Sequence, residues 1–181
     1  MDGQAGEGAQ RGVSAEVPDW SRERPRAMWD PSRRLLRAIR GWQAAQAGSG
    51  PMAVLRRKWW TLQHRLWSVV TGADIPVGTR FGGGLILPHP NGIVIHTGVR
   101  MGPNCMLFQQ VTLGTRSGHR GAPQLGGHVD IGAGARVLGP VTIGDHAVIG
   151  ANAVVLCDVP PGCRAVGIPA RILPPAGPGG G

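Results

Sequence analysis

The chain has 181 residues, room for one domain and an appendage. Its 31 glycines and 16 prolines would point to disorder if they had no period, but many of the glycines recur at a fixed interval. The formal net charge of +9 is concentrated between Arg22 and Arg65, with no nucleic-acid motif beside it. The charge therefore reads as a solvated helical face with attraction for an anionic cofactor, not as a nucleic-acid surface. The three cysteines, Cys105, Cys157 and Cys163, form no framework of pairs, and free thiols in a reducing compartment are expected. The first thirty residues lack an apolar signal core, and no apolar run approaches the length of a membrane span, so a soluble cytoplasmic protein is expected.

Residues 1–27 read as a flexible tail rich in Gly, Glu, Arg and Ser. A helical region follows over 28–72. Asp30 is a good N-cap and Pro31 suits the first helical position. Leu35, Leu36, Ile39 and Trp42 then form an apolar stripe. Gly48-Ser49-Gly50 breaks this helix and Pro51 restarts it, with a second stripe at Leu55, Trp59, Leu62, Leu66 and Val69 ending near Gly72. Five of the six tryptophans lie in this part and the sixth, Trp20, just ahead of it, which suits helices that dock on the rest of the chain or on a partner subunit.

From Ile75 onward a large apolar residue returns every six positions: Ile75, Phe81 and Leu87, then Ile95, Met101, Leu107 and Leu113. The beat resumes at Leu125, Ile131, Val137, Ile143, Ile149 and Val155, and it is followed as far as Ile172. A small residue usually comes next, as at Gly82, Gly102, Gly126, Gly132 and Gly144. Neither a helix nor a simple strand alternation has this period. A fixed period sustained over 73–173 marks a solenoid, whose units bury their apolar faces only by stacking on one another. Residues 174–181 read as a disordered Pro/Gly tail.

This hexapeptide pattern resembles the left-handed parallel β-helix of the hexapeptide acyltransferases. The resemblance implies a mainly β fold in which three hexads make one triangular coil, about five coils in all, with a short N-terminal α-helical region. The beat breaks twice. Leu87 to Ile95 is two residues too long, so Pro88-His89-Pro90-Asn91-Gly92 bulges outward, with prolines restricting His89. Leu113 to Leu125 leaves a loop at Thr115 to Pro123 that contains His119 and Arg120. Loops that interrupt a rigid scaffold are where binding and catalysis concentrate. Stacking arithmetic allows Asp74 and His89 to meet on neighbouring coils, about 4.8 Å apart. A carboxylate on one imidazole nitrogen fixes the tautomer and raises the basicity of the other, as hydroxyl activation requires.

Several stretches are similar to serine O-acetyltransferases in particular. They are Asp74-Ile75-Pro76, Leu87 to Ile95, Phe108-Gln109-Gln110-Val111-Thr112-Leu113-Gly114, Ile149 to Val155 and Val166-Gly167-Ile168-Pro169-Ala170-Arg171. The resemblance implies acetyl transfer from acetyl-CoA to L-serine in cysteine biosynthesis by a homotrimer, without a metal. It makes His89 the general base and Asp74 its orienter. It places coenzyme A near Gly114, Ala133, Gly150, Ala151 and Arg171, and the acceptor near Asp30, His119 and Arg120. The departures are specific. Pro88 stands where the family has an acid that helps hold the amino group of serine, and the extruded loop is shorter. The chain ends in glycines instead of the isoleucine-terminated tail that docks in cysteine synthase, so that complex is not expected. Three other readings stay open: transfer to another hydroxyl such as that of a sugar or secondary metabolite, a zinc carbonic-anhydrase-like coil, and a non-enzymatic scaffold. For the zinc coil no two histidines show the close His-x4-His spacing.

Overall fold

The computed structural model describes residues 12–175. From Asp74 to Val166 the chain winds through five left-handed coils with three flat faces, each a ladder of parallel rungs. The first face carries Val94–Ile95, Thr112–Gly114, Arg136–Leu138 and Val154–Val155, with Asp74 bridged to Val94 at its start. The second carries Arg80–Phe81, Arg100–Met101, Gln124–Leu125 and Thr142–Ile143. The third carries Met106–Leu107, Asp130–Ile131, Val148–Ile149 and Arg164–Val166. Each rung sends one side chain out and the next one in, so the apolar beats from Ile75 to Val155 are all buried along the prism axis. Burying each such side chain contributes about 1.5–3 kcal/mol.

The beat ends before Ile172, which is partly exposed. Arg171–Leu173 turns back antiparallel on Arg164–Val166 and closes the last coil. Both interruptions fall at corners. The Pro88–Gly92 bulge lies between the third and first faces, and the 115–123 loop lies between the first and second faces.

Two helices precede the coil, α1 (Pro31–Gln46) and α2 (Gly50–Thr71). They pack on each other, Trp60 covering Gly41 so closely that no Cβ fits there. Leu35, Leu36 and Ile39 of the first expected stripe join the coil's core. The second expected stripe does the opposite. Leu55, Trp59, Leu62, Leu66 and Val69 are exposed, and α2 instead turns Ala53, Trp60, His64 and Trp67 toward the rest of the chain. His64 Nε2 lies 2.8 Å from the Ile75 carbonyl and ties α2 to the coil entrance. Gly72 ends α2 in the left-handed region, its N–H donating to Ser68 O at 2.8 Å.

Residues 12–27, expected as part of a flexible tail, are a strap laid across the corner between the second and third faces. Asn104 has φ 62° and is buried. Its side-chain amide donates to Ser14 O at 2.7 Å and Val17 O at 2.8 Å, and its oxygen accepts from Asp19 N–H at 2.8 Å. A 3-10 turn at Trp20–Glu23 follows. The buried Glu23 carboxylate accepts from Arg40 Nη2 at 2.8 Å and Nε at 3.1 Å, and from Leu85 N–H at 3.1 Å. Arg40 also lies over Phe81 and Trp20. Residues 1–11 and most of the expected carboxy-terminal tail, 176–181, lie outside the described residues.

Candidate active site

The corner between the third and first faces is built on left-handed residues: Gly72, Gly92 with φ 69°, Gln110 with φ 60°, Gly134 with φ 72° and Asn152 with φ 57°. Each turns the chain onto the first face, and each after Gly72 bonds to the turn before it. Gly92 N–H donates to Gly72 O at 2.9 Å, Gln110 N–H to Asn91 O at 2.9 Å and Gly134 N–H to Gln109 O at 2.9 Å. The side chains repeat the pattern, Gln110 Nε2 donating to Asn91 Oδ1 at 2.9 Å. A Cβ at Gly92 would press on that Gln110 amide, so glycine is needed there for space as well as for φ. Gly92 to Ile95 is then fastened to Asp74. Asp74 N–H donates to Ile93 O at 2.8 Å and Ile95 N–H donates to Asp74 O at 2.9 Å.

This clamp places the bulge beside the coil entrance, as the spacing predicted. Asp74 is the outward residue of its rung and is exposed, and so is His89. Asp74 is in register with Val94, five positions after His89, and among the described residues no hydrogen bond or ion pair joins the Asp74 carboxylate to the His89 ring. The backbone brings the two segments together; the single chain leaves both side chains open to solvent.

His119 and Arg120 occupy a different edge. Their loop closes with His119 N–H donating to Arg116 O at 3.1 Å, and His119 Nδ1 lies 3.2 Å from Ser117 O. It rests on the next coil, Arg116 against Gly139 and Gly121 against Pro140. Within one chain the whole first face separates this loop from His89. The residues expected to hold coenzyme A divide the same way. Ala133, Gly150 and Ala151 share the corner with the bulge, while Gly114 closes the far edge of the first face, accepting from Gly139 N–H at 2.9 Å. Arg171 is exposed on the closing strand opposite Val166.

Asp30 starts α1 but makes no side-chain cap bond. Its Oδ2 accepts from Arg26 N–H and Arg33 Nη1, both at 3.1 Å. Burial pushes the Asp30 pKa up, but these two donors outweigh it and hold the carboxyl below its ordinary value. Asp30, Ser32 and Arg33 line a cavity of about 340 Å³ with Arg22 and Arg26, against a coil wall that runs from Leu85 to Pro88. The cavity therefore ends next to His89. Its arginines went unnoticed in the sequence, where they read as part of a solvated basic stretch. The available signal was the run Arg22-Glu23-Arg24-Pro25-Arg26 directly ahead of Asp30-Pro31, too short and too broken by proline to be a helical face.

Two other features belong to the scaffold. His128 and His146 stack at the strap corner with Nδ1 atoms 2.8 Å apart, and burial lowers the His128 pKa. Cys105 is buried, which pushes its thiol up to about 11, and it donates to Gly126 O at 3.3 Å. Among the described residues no three His, Cys, Asp or Glu side chains converge as a metal-holding group.

Comparison with known proteins agrees with the fold. Residues 122–157 match the bacterial transferase hexapeptide (six repeats) family. The serine acetyltransferase of Synechococcus elongatus is 43% identical over 115 residues, covering 62% of this chain and 47% of the relative. The crystal structure of Neisseria gonorrhoeae serine acetyltransferase in complex with serine superposes with a TM-score of 0.66 at 34% identity, covering 80% of this chain and 57% of that one. A serine acetyltransferase complex with CoA gives a TM-score of 0.65 at 29% identity, covering 81% of this chain and 58% of that one. The chain is thus similar to serine acetyltransferases in sequence and in fold, as its hexads indicated, and it spans about half the length of such relatives, 47% of the cyanobacterial one.

Proposed function

We propose that this chain is a cytoplasmic, acetyl-CoA-dependent O-acetyltransferase with L-serine as acceptor, acting as a homotrimer. The observation that carries the proposal is the fastening of the His89 bulge to Gly72 and Asp74 at one corner. In the reaction His89 takes the proton of the acceptor hydroxyl while Asp74 orients the ring. The freed oxygen attacks the thioester carbonyl, and backbone N–H groups along the corner steady the oxyanion. The carbonyl re-forms as the carbon–sulfur bond breaks, and the coenzyme A thiolate leaves with the proton held by His89. The similarity to relatives described as complexes with serine and with CoA supports both co-substrates.

The trimer is supported by the split site. His119, Arg120 and Gly114 lie one face away from His89, Ala133, Gly150 and Ala151, so a cleft using both edges needs a second copy. The exposed seam on α2 supports it too. Met52, Leu55, Trp59, Leu62, Leu66 and Val69 follow alternating steps of three and four, the spacing of helices that pack on one another. Arg171 is placed at a phosphate of the cofactor, and a cysteine synthase complex is not part of the proposal.

The test is release of thiol from acetyl-CoA in the presence of L-serine. His89→Ala should reduce turnover by about 100-fold to 10,000-fold while coenzyme A binding by calorimetry persists. Near-normal turnover in the variant would remove the base assignment. Thiol release with another alcohol and not with serine would move the activity to that acceptor, a reading favoured by Pro88 at the serine-facing position.

A further inference from the structure

The cavity beneath the bulge has an electrostatic character that does not suit an ammonium group. Three arginines, Arg22, Arg26 and Arg33, line it with one acidic residue, Asp30. That carboxylate is already engaged by Arg33 and by the Arg26 N–H, and its side chain is only 12% exposed. Arg22 and Arg33 are fixed by backbone acceptors, Arg22 Nη1 donating to Asn104 O at 2.8 Å and Arg33 Nε to Arg22 O at 2.9 Å. Each keeps further N–H groups unassigned, and the exposed Arg26 guanidinium has no partner among the described residues. The coil wall ends in Pro88, which offers neither a charge nor an N–H. An α-amino group placed here would meet excess positive charge and no free carboxylate. A carboxylate would meet preset guanidinium donors.

We propose that this cavity binds the carboxylate of the acceptor, so that the chain acetylates small hydroxy acids and does not depend on an α-amino group. The inference rests on the acetyl-transfer reading and deepens it: the hydroxyl is at His89, the carboxylate in the arginine cavity, and Pro88 at the boundary removes selection for an amine. L-Serine qualifies through its carboxylate, and glycerate, which has the same skeleton without the amine, qualifies equally.

The experiment compares three acceptors with the full chain and acetyl-CoA: L-serine, glycerate and ethanolamine, the last keeping the amine but lacking the carboxylate. Glycerate should match or exceed L-serine in kcat/KM, and ethanolamine should be lower by about tenfold or more, the scale of one lost charge-assisted hydrogen bond. Arg26→Ala, at an exposed position, should raise KM for glycerate about tenfold, leaving kcat and the KM for acetyl-CoA in place. Pro88→Asp should reverse the order of glycerate and ethanolamine. Turnover of L-serine but not glycerate, or equal use of ethanolamine, overturns the proposal. If no acceptor releases thiol, calorimetry with glycerate decides: binding that Arg26→Ala weakens about tenfold keeps the cavity assignment and rejects acetyl transfer, and no binding, or binding that Arg26→Ala leaves unchanged, rejects the cavity itself.

Discussion

The coil between Ile75 and Val166 and the segment from residue 12 to Gly72 are held together by different means. In the coil each rung repeats the same few interactions, and Ile131 buries its side chain between Leu107 and Ile149 much as Val137 does between Leu113 and Val155. Stability there is close to a sum over neighbours. The strap has no repeat. It is held by Asn104, Glu23, Arg22 and Arg40, each making bonds that no other residue duplicates. A repeated apolar contact tolerates the loss of one member; a unique buried ion pair leaves an uncompensated charge when one partner goes.

The strongest way to break that comparison is Glu23→Ala. It leaves Arg40 half-buried beside Phe81 and Gly82 and orphans the buried Leu85 N–H. The strap should lose about 3–5 kcal/mol of docking free energy. Hydrogen exchange should show lost protection at Leu85, and proteolysis should open the chain at Arg24 and Arg26, while the coil keeps its circular dichroism. Equal lowering of the coil's own unfolding midpoint would mean that strap and coil are one cooperative unit. Ile131→Ala comes next, at about 2–5 kcal/mol. Urea unfolding should show the coil destabilised while strap protection persists until the coil unfolds. A loss well below this range would mean that the prism collapses around the missing side chain.

The same division explains what was legible in the sequence. Ile75, Leu107 and Val155 declared themselves because a period of six has one physical cause, an inward position on each face. The bulge at His89 and the loop at His119 were visible as missed beats. Their distribution over two different edges follows from counting hexads, three to a coil, whereas the bonds that fasten each break to its neighbours do not. Residues 14–22 carry no repeat that announces docking, since their main polar anchor is a single asparagine more than eighty positions away. The second helix left a further choice open. Its stripe at Leu55 to Val69 has the spacing of a core face, but that face points outward, and spacing alone does not say whether a stripe packs within its own chain or on another copy.

Asp30 gives the smallest and most selective test of how the strap joins the helices. Its pKa is held below the ordinary carboxylate value in the folded chain. Its contribution is therefore complete above the unfolded pKa, near 4, and is lost as pH falls through the lowered folded value. Acidification from about pH 5 downward should loosen the contact of Asp30 with Arg26 and Arg33. Trp29, stacked edge-on to Trp67 with centroids 5.9 Å apart, sits directly beside this contact and reports on it by fluorescence. The expected effect is on the order of 1 kcal/mol or less. Asp30→Asn cannot titrate, so its Trp29 signal should lack the acid-dependent component seen in the unaltered chain. Superimposable acid profiles would mean that the Asp30 carboxylate does not hold the strap to α1, and that Glu23 and Asn104 fasten the amino-terminal segment without it.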